Sequence, residues 1–517
     1  MNNEVRTVVI VGGGTAGWIT AGILAAYQKK HCAKPLKVKL IESPNVATIG
    51  VGEGTWPTLR NTLKEMGIRE TDFIRECQAT FKQGAKFSKW CTGEEDDFYY
   101  HPLVLPTGYH NINLAPHWPS LAQSSSFSNA VCEQESLCEL MRAPKNISTP
   151  EYQGIANYSY HLDAGKFATF LQKHCVTQLG VEHIQDDVIK VNNDDEEFIS
   201  SLSTQQHGLL EGDLFIDCSG AKALLLSQHY QIPFNSCHDT LFCDRAIAAQ
   251  VPYSDDNSPI ASNTISTATS AGWIWEIGLQ NRKGIGHVYS SQHTTEDQAL
   301  SELQLYLGQE VNDLSSLDYK QISFDPGYRE KLWHKNCVAI GMSAGFVEPL
   351  EASSIVLAEI SAKMIAEQMP RCREVMPIIE KRFNQTFTYR WQRIIDFLKL
   401  HYALSQRTDS QFWLDNQDPN TSPESLNELL ALWKYQPPWH DDFDRAVEVF
   451  PSASYQYVLY GMGFKSHPNH SGHSTSAAEL AAYHFNKTRQ SSQQLLNQLP
   501  CHRELINKIH QFGLQTV

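Results

Sequence analysis

Three glycines near the start of the chain have the spacing of a loop that binds the pyrophosphate of a dinucleotide. Gly12 suits a tight turn, Gly14 lets a phosphate approach the backbone, and Gly17 allows a helix to pack closely on a strand. The free N–H groups at the start of such a helix bind phosphate oxygens. Glu42 ends the next apolar run, where an acid binds a ribose hydroxyl. The pattern predicts a dinucleotide site.

Short apolar runs predict the strands that position this loop. Residues 8–11 form a β-branched run directly before the glycines, a helix is predicted from Trp18, and residues 37–41 form the second strand. Two more apolar runs, 213–217 and 336–340, also end at small-residue turns. Strand-to-turn junctions scattered along the chain in this way favour FAD over NAD. In FAD proteins with such junctions, several separate segments of the chain contact one cofactor. The sequence contains no second complete glycine fingerprint for NAD(P)H.

Composition indicates an enzyme rather than a nucleic-acid or membrane protein. The 517 residues are 41% hydrophobic, enough for a substantial core, and the net charge is −15. Nucleic acid and anionic membranes both favour basic patches, so neither is expected as a partner. The sequence has no apolar stretch of about 20 residues and no N-terminal signal pattern. We therefore expect a cytoplasmic protein.

Cysteine and histidine spacing gives no indication of a metal site. The 12 cysteines are scattered singly, without a Cys-x-x-Cys pair, and are expected to be reduced thiols. His467, His470 and His473 are interrupted by Pro, Asn, Ser and Gly, which is typical of an exposed loop. No metal is expected.

Two ionisable residues far apart in the sequence carry a more specific hypothesis. Lys82 lies in the run Ala-Thr-Phe-Lys-Gln-Gly at residues 79–84, and Glu351 ends the run Phe-Val-Glu-Pro-Leu-Glu at residues 346–351. Taken alone, the lysine would be interpreted as solvated on a helix and the glutamate as an acid at a helix N-terminus. Together with the run Gly-Gly-Gly-Thr-Ala-Gly-Trp at residues 12–18, they resemble the flavin-dependent halogenases of the tryptophan halogenase family.

The resemblance extends from Val8 to about Gly463. Residues 48–55 look like the family's flavin strap, a loop that covers the flavin ring. The run Trp-Ile-Trp-Glu-Ile at residues 273–277 resembles the Trp-x-Trp-x-Ile-Pro signature, with Gly278 in place of the final proline.

The family implies an α/β fold. It consists of a doubly wound, Rossmann-like FAD-binding module of the glutathione-reductase type, an interleaved and largely antiparallel substrate-side sheet, and a C-terminal helical region. We expect the FAD module at residues 1–357, the sheet within it at about 240–325, and a mostly helical substrate-covering region at residues 358–517.

The family's chemistry assigns roles to the lysine and the glutamate. Reduced FAD and oxygen supply the oxidising equivalents that convert halide into hypohalous acid. The resemblance implies that Lys82 donates a hydrogen bond to this acid, or holds the halogen as a haloamine, and so delivers it to an aromatic ring. Glu351 would accept the proton lost from the ring or polarise the hypohalous acid.

The resemblance also implies residues that bind the cofactor and the halide. The expected FAD contacts are Gly12, Gly14, Thr15, Ala16, Gly17, Glu42, Gly50, Val51, Glu53, Val188, Ser219, Gly341, Leu350 and Ile355. Chloride or bromide is expected at the backbone N–H groups of Ser353 and Ser354, since free groups at a helix start bind anions. Two departures affect this pocket: Ala352 replaces a serine, and Ser354 replaces a glycine whose backbone freedom serine lacks.

The substrate is expected to be an aromatic small molecule. The matching ring contacts are His101, Leu103 and Phe450, the last two standing where larger aromatics are typical. Residues 436–445 lack the Tyr-Tyr pair and the acid that hold the amino-acid group of free tryptophan. We therefore expect an indole or phenol without that group, or one carried on a larger scaffold.

The remaining expectations concern partners and rival functions. A separate NAD(P)H-dependent flavin reductase would supply FADH2 transiently, and a homodimer is possible. One alternative is a FAD monooxygenase that hydroxylates an aromatic, although residues 340–343 lack the acid expected there. The other is a protein that binds FAD or an aromatic ligand without turnover.

Overall fold

The computed structural model describes residues 4–34, 36–46, 52–122, 124–308, 311, 313–467 and 474–516. The strands in this part of the chain are β1 Thr7–Val11, β2 Lys37–Glu42, β3 Gly52–Gly54, β4 Thr80–Lys82, β5 Gly84–Ser88, β6 Phe98–Pro102, β7 Ser159–Asp163, β8 Glu182–Gln185, β9 Val188–Asn193, β10 Ile199–Thr204, β11 Leu209–Glu211, β12 Leu214–Asp217, β13 Phe234–Ser236, β14 Arg245–Pro252, β15 Thr264–Ala268, β16 Gly272–Gly278, β17 Arg282–Tyr289, β18 Tyr319–Ser323, β19 Gly327–Arg329, β20 Trp333–His334, β21 Cys337–Ala339 and β22 Gly345–Phe346. The helices are α1 Thr15–His31, α2 Thr58–Glu65, α3 Glu70–Glu76, α4 Trp118–Leu121, α5 Phe127–Val131, α6 Gln134–Glu139, α7 Ala164–Leu179, α8 Glu296–Leu307, α9 Ser353–Glu367, α10 Met376–Ala403, α11 Gln411–Gln417, α12 Glu424–Trp433, α13 Ser452–Gly461, α14 Thr475–Gln498 and α15 His502–Phe512.

The chain forms two compact units, each built from three segments. The first unit comprises Met1–Ala79, Leu162–Cys237 and Asp325–Trp391, and the second comprises Thr80–His161, His238–Phe324 and Gln392–Val517. The boundary predicted after residue 357 falls within α9, and the assignment of cofactor and substrate roles to the two sides of that boundary stays a prediction.

A six-stranded sheet forms the centre of the first unit. Its strand order is β20-β21-β12-β1-β2-β8, and all pairs are parallel except β20 with β21. Strand β1 pairs with both β12 and β2, so Val8 faces Leu214 on one side and Val38 on the other. The inner strands are continuous apolar runs because helices cover both faces of such sheets. This arrangement confirms the predicted doubly wound α/β fold.

Helix α1 packs against α7 and α9 in the same unit. It begins at Thr15, three residues before its predicted start, and α7 begins after Asp163, whose side chain accepts the Lys166 N–H at 3.0 Å. Two small antiparallel sheets, β9-β10-β11 and β13-β19-β22, complete the unit.

A seven-stranded sheet dominates the second unit. Its order is β18-β14-β17-β16-β15-β5-β6, with one parallel pair, β15 with β5. Helix α8 covers one face with Leu303 and Leu307 against Ile247 and Ile274. The largely antiparallel sheet predicted at about 240–325 is thus confirmed. It also includes β5 and β6 from earlier in the chain.

The C-terminal region is helical from α9 through α15, as predicted. The stretch from 99 to 148 has little periodicity in sequence, yet it contains β6 and three short helices. No helix in the described ranges is both long and apolar enough to cross a membrane.

Candidate functional site

The glycine loop after β1 leaves open space only where a cofactor phosphate would approach. Gly12 has φ +115°, and a Cβ there would lie 2.2 Å from the Cys218 carbonyl oxygen. A Cβ on Gly17 would lie 1.9 Å from the Gly12 carbonyl oxygen, whereas one on Gly14 would meet nothing within 4 Å. The first two glycines are therefore required by the protein's own backbone. Gly14 keeps a cradle clear for another molecule.

The start of α1 supplies the donors at this cradle. Thr15 and Ala16 open the helix, and its N-cap, Gly14, offers no side-chain hydrogen bond to the first N–H groups. Gly341, after β21, has φ +74°, and a Cβ there would lie 2.7 Å from the Ala16 Cβ. The turn after β21 thus packs on the first turn of α1. These predicted FAD residues lie together at the carboxyl ends of the parallel strands.

Glu42 ends β2 beside the same loop. A Cβ on Gly13 would overlap the Glu42 Oε2, so the carboxylate lies directly against the loop. Its Oε1 lies 2.6 Å from the Nε2 of His183, a partner not anticipated from the sequence. The Glu42 carbonyl accepts the Asp186 N–H at 3.0 Å, and Val188 follows two residues later at the start of β9. The segment that carries Val188 is therefore anchored at the end of β2.

Ser219 follows β12 and lies in a turn closed by Asp217. The Asp217 Oδ1 accepts the Ser219 hydroxyl at 2.5 Å, and its Oδ2 accepts the N–H groups of Leu225 and Leu226 at 2.8 and 2.9 Å. The Ser219 hydroxyl in turn accepts the Leu224 N–H at 2.7 Å. This buried acid therefore shapes the turn that presents Ser219.

Glu351 lies immediately before α9. The glutamate is buried, and its carbonyl accepts the Trp56 indole N–H at 2.9 Å. The next residue, Ala352, is the N-cap and has the left-handed angles φ +53° and ψ +45°. Leu350 and Ile355 are buried on either side. Glu351 therefore lies just before the helix N-terminus and is buried.

Ser353 and Ser354 are the first two residues of α9. Neither N–H finds an acceptor within the described part of the chain. Both residues line a pocket, together with aromatic side chains that include Phe346 and Trp391. An anion in this pocket would meet free N–H groups and the positive end of the helix dipole.

The glycine-to-serine departure at Ser354 introduces no backbone strain. Among the described residues other than glycine with positive φ, Ala352 is present and Ser354 is not. The left-handed position is Ala352, so Ser354 needs no glycine-type backbone conformation. The serine side chain still occupies space that glycine would leave open.

Glu53 lies in β3 at the end of the predicted strap. Its side chain is half-buried, and burial raises the pKa of its carboxyl to about 7. Gly50 and Val51, also predicted to contact FAD, lie outside the described residues, as do His470 and His473. In the ranges that the structure describes, no group of three or more His, Cys, Asp or Glu side chains could hold a metal ion.

Lys82 lies on β4 in the second unit and is 3% exposed. The interpretation of a solvated helix lysine is therefore wrong. Strand β4 pairs antiparallel with β7, which places Lys82 opposite Ser159. Two residues earlier, the Thr80 hydroxyl donates to the Gly278 carbonyl at 2.6 Å. The glycine that replaces the family's proline thus anchors the strand that carries the lysine.

The residue after Lys82 connects it to the predicted substrate contacts. The Gln83 carbonyl accepts the Leu103 N–H at 3.2 Å, and the pairing of β5 with β6 places Ala85 opposite His101. His101 is buried and Leu103 is half-buried. These contacts position Lys82, His101 and Leu103 within one hydrogen-bonded segment of the second unit.

An aromatic cage surrounds His101. Its ring centroid lies 5.4 Å from Phe397, 6.3 Å from Phe450 and 6.2 Å from Tyr457. Phe397 stacks on Phe450 with centroids 3.9 Å apart. The sequence predicted ring contacts at His101 and Phe450, and their role toward a substrate stays a prediction. The neighbouring rings of Phe397 and Tyr457 were not predicted, because the helical patterns of α10 and α13 do not show which residues meet His101.

The two tryptophans of β16 are core residues of the second unit. Trp273 and Trp275 are both buried, with ring centroids 6.4 Å apart, and Trp90 lies 6.4 Å from Trp273. Gly286 accommodates Trp275, because a Cβ there would lie 2.2 Å from the indole.

The segment that replaces the head-group site of tryptophan-specific members is closed on itself. The Asp442 Oδ2 accepts the Trp433 indole N–H at 2.9 Å and the Trp439 backbone N–H at 2.8 Å. Tyr109 packs against Trp439 and His440, with centroids at 4.9 and 4.7 Å. Asp442 is therefore engaged in holding the loop.

Known proteins that are similar to this chain include halogenases. A tryptophan halogenase from Shewanella frigidimarina has a crystal structure that matches at a TM-score of 0.97, with 48% identity and 100% of both chains covered. BrvH, a flavin-dependent halogenase from Brevundimonas, matches at a TM-score of 0.85 with 32% identity over 98% of this chain and 100% of the other. The tryptophan 6-halogenase ThaL of Streptomyces albogriseolus is 31% identical over 99% of both chains.

A glycine-loop FAD module, in a chain that also carries a buried lysine beside an aromatic cage, defines a flavin-dependent halogenase. The chain belongs to the tryptophan halogenase family, whose sequence profile matches residues 7–478. FAD, used in its reduced form, and a halide are accordingly its cofactor and co-substrate. The open cradle at Gly14 and the uncapped start of α1 fit the cofactor's pyrophosphate.

Proposed function

We propose that this halogenase transfers chloride- or bromide-derived electrophilic halogen to an indole or phenol that lacks a free amino-acid group, and that Lys82 delivers it. The observation that carries the proposal is the burial of Lys82 in a strand hydrogen-bonded to the segment of His101 and Leu103. Lysine is almost never fully buried unless it is hydrogen-bonded or paired, so its burial here supports a role inside a site rather than on the surface.

The role of FAD is to supply, with oxygen, the oxidising equivalents that turn halide into hypohalous acid. The ammonium of Lys82 donates a hydrogen bond to that acid, or the neutral amine takes up the halogen. Arg could not replace it, because a guanidinium stays charged and presents a planar fork. Glu351 accepts a proton in the same reaction, and the Trp56 indole positions its backbone.

The halide is bound by the backbone N–H groups of Ser353 and Ser354. Two free N–H groups at the first turn of a 15-residue helix support this assignment. Because these donors are backbone N–H groups, they distinguish chloride from bromide by the distance between nitrogen and halide rather than by charge. We expect both chloride and bromide to be used, and a measured KM for each halide tests this.

The substrate class is inferred from the contacts of residues 436–445. Asp442, the carboxylate of this segment that binds Trp433, already accepts two hydrogen bonds. A zwitterionic amino acid needs ligands for its ammonium and carboxylate, and a site without them gains little from binding one. An aromatic ring alone fits the cage of His101, Phe397 and Phe450.

The reducing equivalents come from a separate NAD(P)H-dependent flavin reductase, which exchanges FADH2 by diffusion. The lack of a second glycine fingerprint in the sequence supports this. NADH should therefore not be oxidised at a useful rate by the purified protein alone. A possible homodimer remains a prediction that sedimentation would test.

One assay tests the proposed function. The protein is incubated with FAD, a flavin reductase, NADH, bromide or chloride, and a panel containing tryptophan, indoles and phenols, and the products are identified by mass spectrometry. We expect halogenated indole or phenol in excess over halogenated tryptophan. A product heavier by one oxygen would instead support the hydroxylase, and turnover of tryptophan alone would overturn the proposed substrate class.

A further inference from the structure

A second ionisable side chain shares the face of the β-ribbon that carries Lys82. Strands β4 and β7 pair antiparallel, with Lys82 opposite Ser159 and Thr80 opposite His161. Side chains two residues apart on a strand point to the same face. His161 is therefore the diagonal cross-strand neighbour of Lys82, at a separation that a long side chain can bridge.

One nitrogen of His161 is buried without a hydrogen-bond partner. The side chain is completely covered, and its Nε2 lies 2.9 Å from the Thr264 Oγ1. Its Nδ1 has no partner in the described part of the chain. Buried polar atoms are nearly always paired, so an exception calls for a functional explanation.

The charge state of His161 makes that nitrogen an acceptor. Burial, followed by the nearby charges of Lys82 and His502, holds the pKa of His161 well below its ordinary value. A neutral imidazole has one N–H and one lone-pair nitrogen. If the Nε2–H donates to the Thr264 hydroxyl, the lone pair lies on Nδ1. The other tautomer would bury an N–H donor with nothing to receive it.

His502, the other histidine close to this ribbon, has a different role. Its Nε2 accepts the Phe81 backbone N–H at 2.9 Å, and its Nδ1 lies 3.4 Å from the Ser262 hydroxyl. Burial lowers its pKa to about 3. Both of its nitrogens are in use, so His502 holds the ribbon in place and serves as a control.

We propose that His161 is a positioning residue for Lys82: its free Nδ1 accepts a hydrogen bond from the lysine Nζ while the lysine delivers halogen. This inference rests on the proposed role of Lys82. An ammonium group has three N–H donors. One of them keeps a fixed direction toward the hypohalous acid only when the others are hydrogen-bonded elsewhere. A neutral acceptor holds the group without adding a counter-charge, so the amine form of the lysine stays accessible.

A pair of conservative variants separates the two nitrogens. His161→Asn places an amide oxygen near the position of Nδ1 and gives up the contact with Thr264. His161→Gln reaches toward Thr264 and gives up the Nδ1 position. The measured quantity is halogenated product per oxygen consumed, with escaped hypohalous acid trapped by an added β-diketone. Variants are compared at equal concentrations of folded enzyme, with the oxygen consumed by free FADH2 subtracted.

We expect His161→Gln to lower the ratio by about ten-fold or more, as loss of a hydrogen bond to a charged group does, with a matching rise in trapped oxidant. His161→Asn should retain more of the ratio than His161→Gln. The control His502→Gln keeps an acceptor for Phe81 and should leave the ratio near that of the wild type. Combined with Lys82→Ala, His161→Gln should have no further effect.

The outcomes separate this inference from the proposed function. If Lys82→Ala halogenates normally, the proposed delivery role fails, and the inference fails with it. If Lys82→Ala loses delivery while His161→Gln keeps the wild-type ratio, only the His161 inference is overturned. Nitrogen NMR of histidine-labelled protein gives a check without a His161 variant. A protonated Nδ1 would also overturn it.

Discussion

The predicted cofactor end of the first unit and the aromatic cage of the second unit offer different chemical groups, backbone groups in the first and side chains in the second. At the predicted cofactor end, the available groups are backbone N–H donors and the space left by a glycine, as at Gly14 and at the start of α9. In the cage, the available groups are side chains: His101 and stacked phenylalanines, with Lys82 on a neighbouring strand. Backbone N–H donors remain when most side chains are substituted, whereas the chemistry of a side-chain site changes with each substitution. The family can therefore keep one cofactor while its substrates diverge.

The two departures from the family pattern at the start of α9 illustrate a site formed by backbone groups. Ala352 and Ser354 differ from the usual residues, yet the N–H groups of the first turn stay free in the part of the chain that the structure describes. The missing Tyr-Tyr pair in the second unit illustrates a site formed by side chains. There, the proposed consequence of a change of side chain is the loss of ligands for an amino-acid head group.

Among the changes in the first unit, the largest expected effect comes from Glu351→Gln. The amide keeps the shape of the buried residue but removes the charge that accepts a proton. We expect the halogenation rate to fall by at least about a hundred-fold, the usual contribution of a positioned base. Single-turnover halogenation with supplied FADH2 measures this. Unchanged FAD affinity is the control, and a rate near that of the wild type would show that Glu351 takes no part.

The next effect tests the backbone cradle through Gly14→Ala. A Cβ there meets no protein atom within 4 Å, so the fold should be unaffected, but the methyl group would enter the space kept for pyrophosphate. We expect the FAD dissociation constant to rise by about ten- to a hundred-fold, the usual cost of overpacking. Gly165→Ala, where a Cβ meets only ordinary contact, is the matched control. Titration of FAD fluorescence measures both, and equal affinities would place the cofactor elsewhere.

A third prediction concerns stability. Glu359 on α9 is fully buried and accepts hydrogen bonds from the hydroxyls of Thr62 and Thr58, and burial raises its pKa from 4.5 to about 7. The folded state then binds the proton more tightly than the unfolded state. Its contribution to the unfolding free energy is therefore fully present below about pH 4.5 and is lost as the pH rises through 7.

Between pH 5 and pH 8, the wild type should lose about 2 kcal/mol relative to Glu359→Gln, which cannot ionise. Urea unfolding at the two pH values measures the difference. Parallel pH dependence in the two proteins would mean that Glu359 is not protonated in the folded state at neutral pH.

The smallest effect is expected from Ser354→Gly, which restores the residue usual in the family. Because Ser354 is not among the described residues with positive φ, glycine should relieve no strain. The donor N–H is kept, so we expect the KM for halide to change by less than about three-fold, within the few tenths of a kcal/mol typical of such positions. Halogenation rates at varied chloride and bromide concentrations measure it. A large gain in affinity would mean that the serine side chain obstructs the halide.

Features that are local, or that depend on the order of elements along the chain, could be predicted from the sequence. The glycine loop, the strand-to-turn junctions at Ser219 and Gly341 and the antiparallel sheet all have patterns contained within a few residues. These patterns predict the doubly wound fold, and the resemblance predicts where the lysine and the glutamate fall.

Contacts between distant segments could not be predicted in this way. His101 meets Phe397 and Tyr457 across about 300 residues of chain, and no periodicity marks such pairs. The pairing of β4 with β7, which brings His161 beside Lys82, likewise depends on register rather than on composition. The burial of Lys82 and Glu351 could not be predicted from local pattern either, since burial of a charge depends on tertiary structure.

The central claim is that delivery of halogen by Lys82 is separate from production of the oxidant at the cofactor. The most direct test measures aryl halogenation and oxygen consumption together in Lys82→Ala, with supplied FADH2, bromide and the best indole or phenol of the panel. We expect oxygen consumption and FAD binding close to those of the wild type, while halogenated product falls by a factor on the order of a thousand. Lys82→Arg should fail in the same way. Near wild-type halogenation by Lys82→Ala would contradict the account.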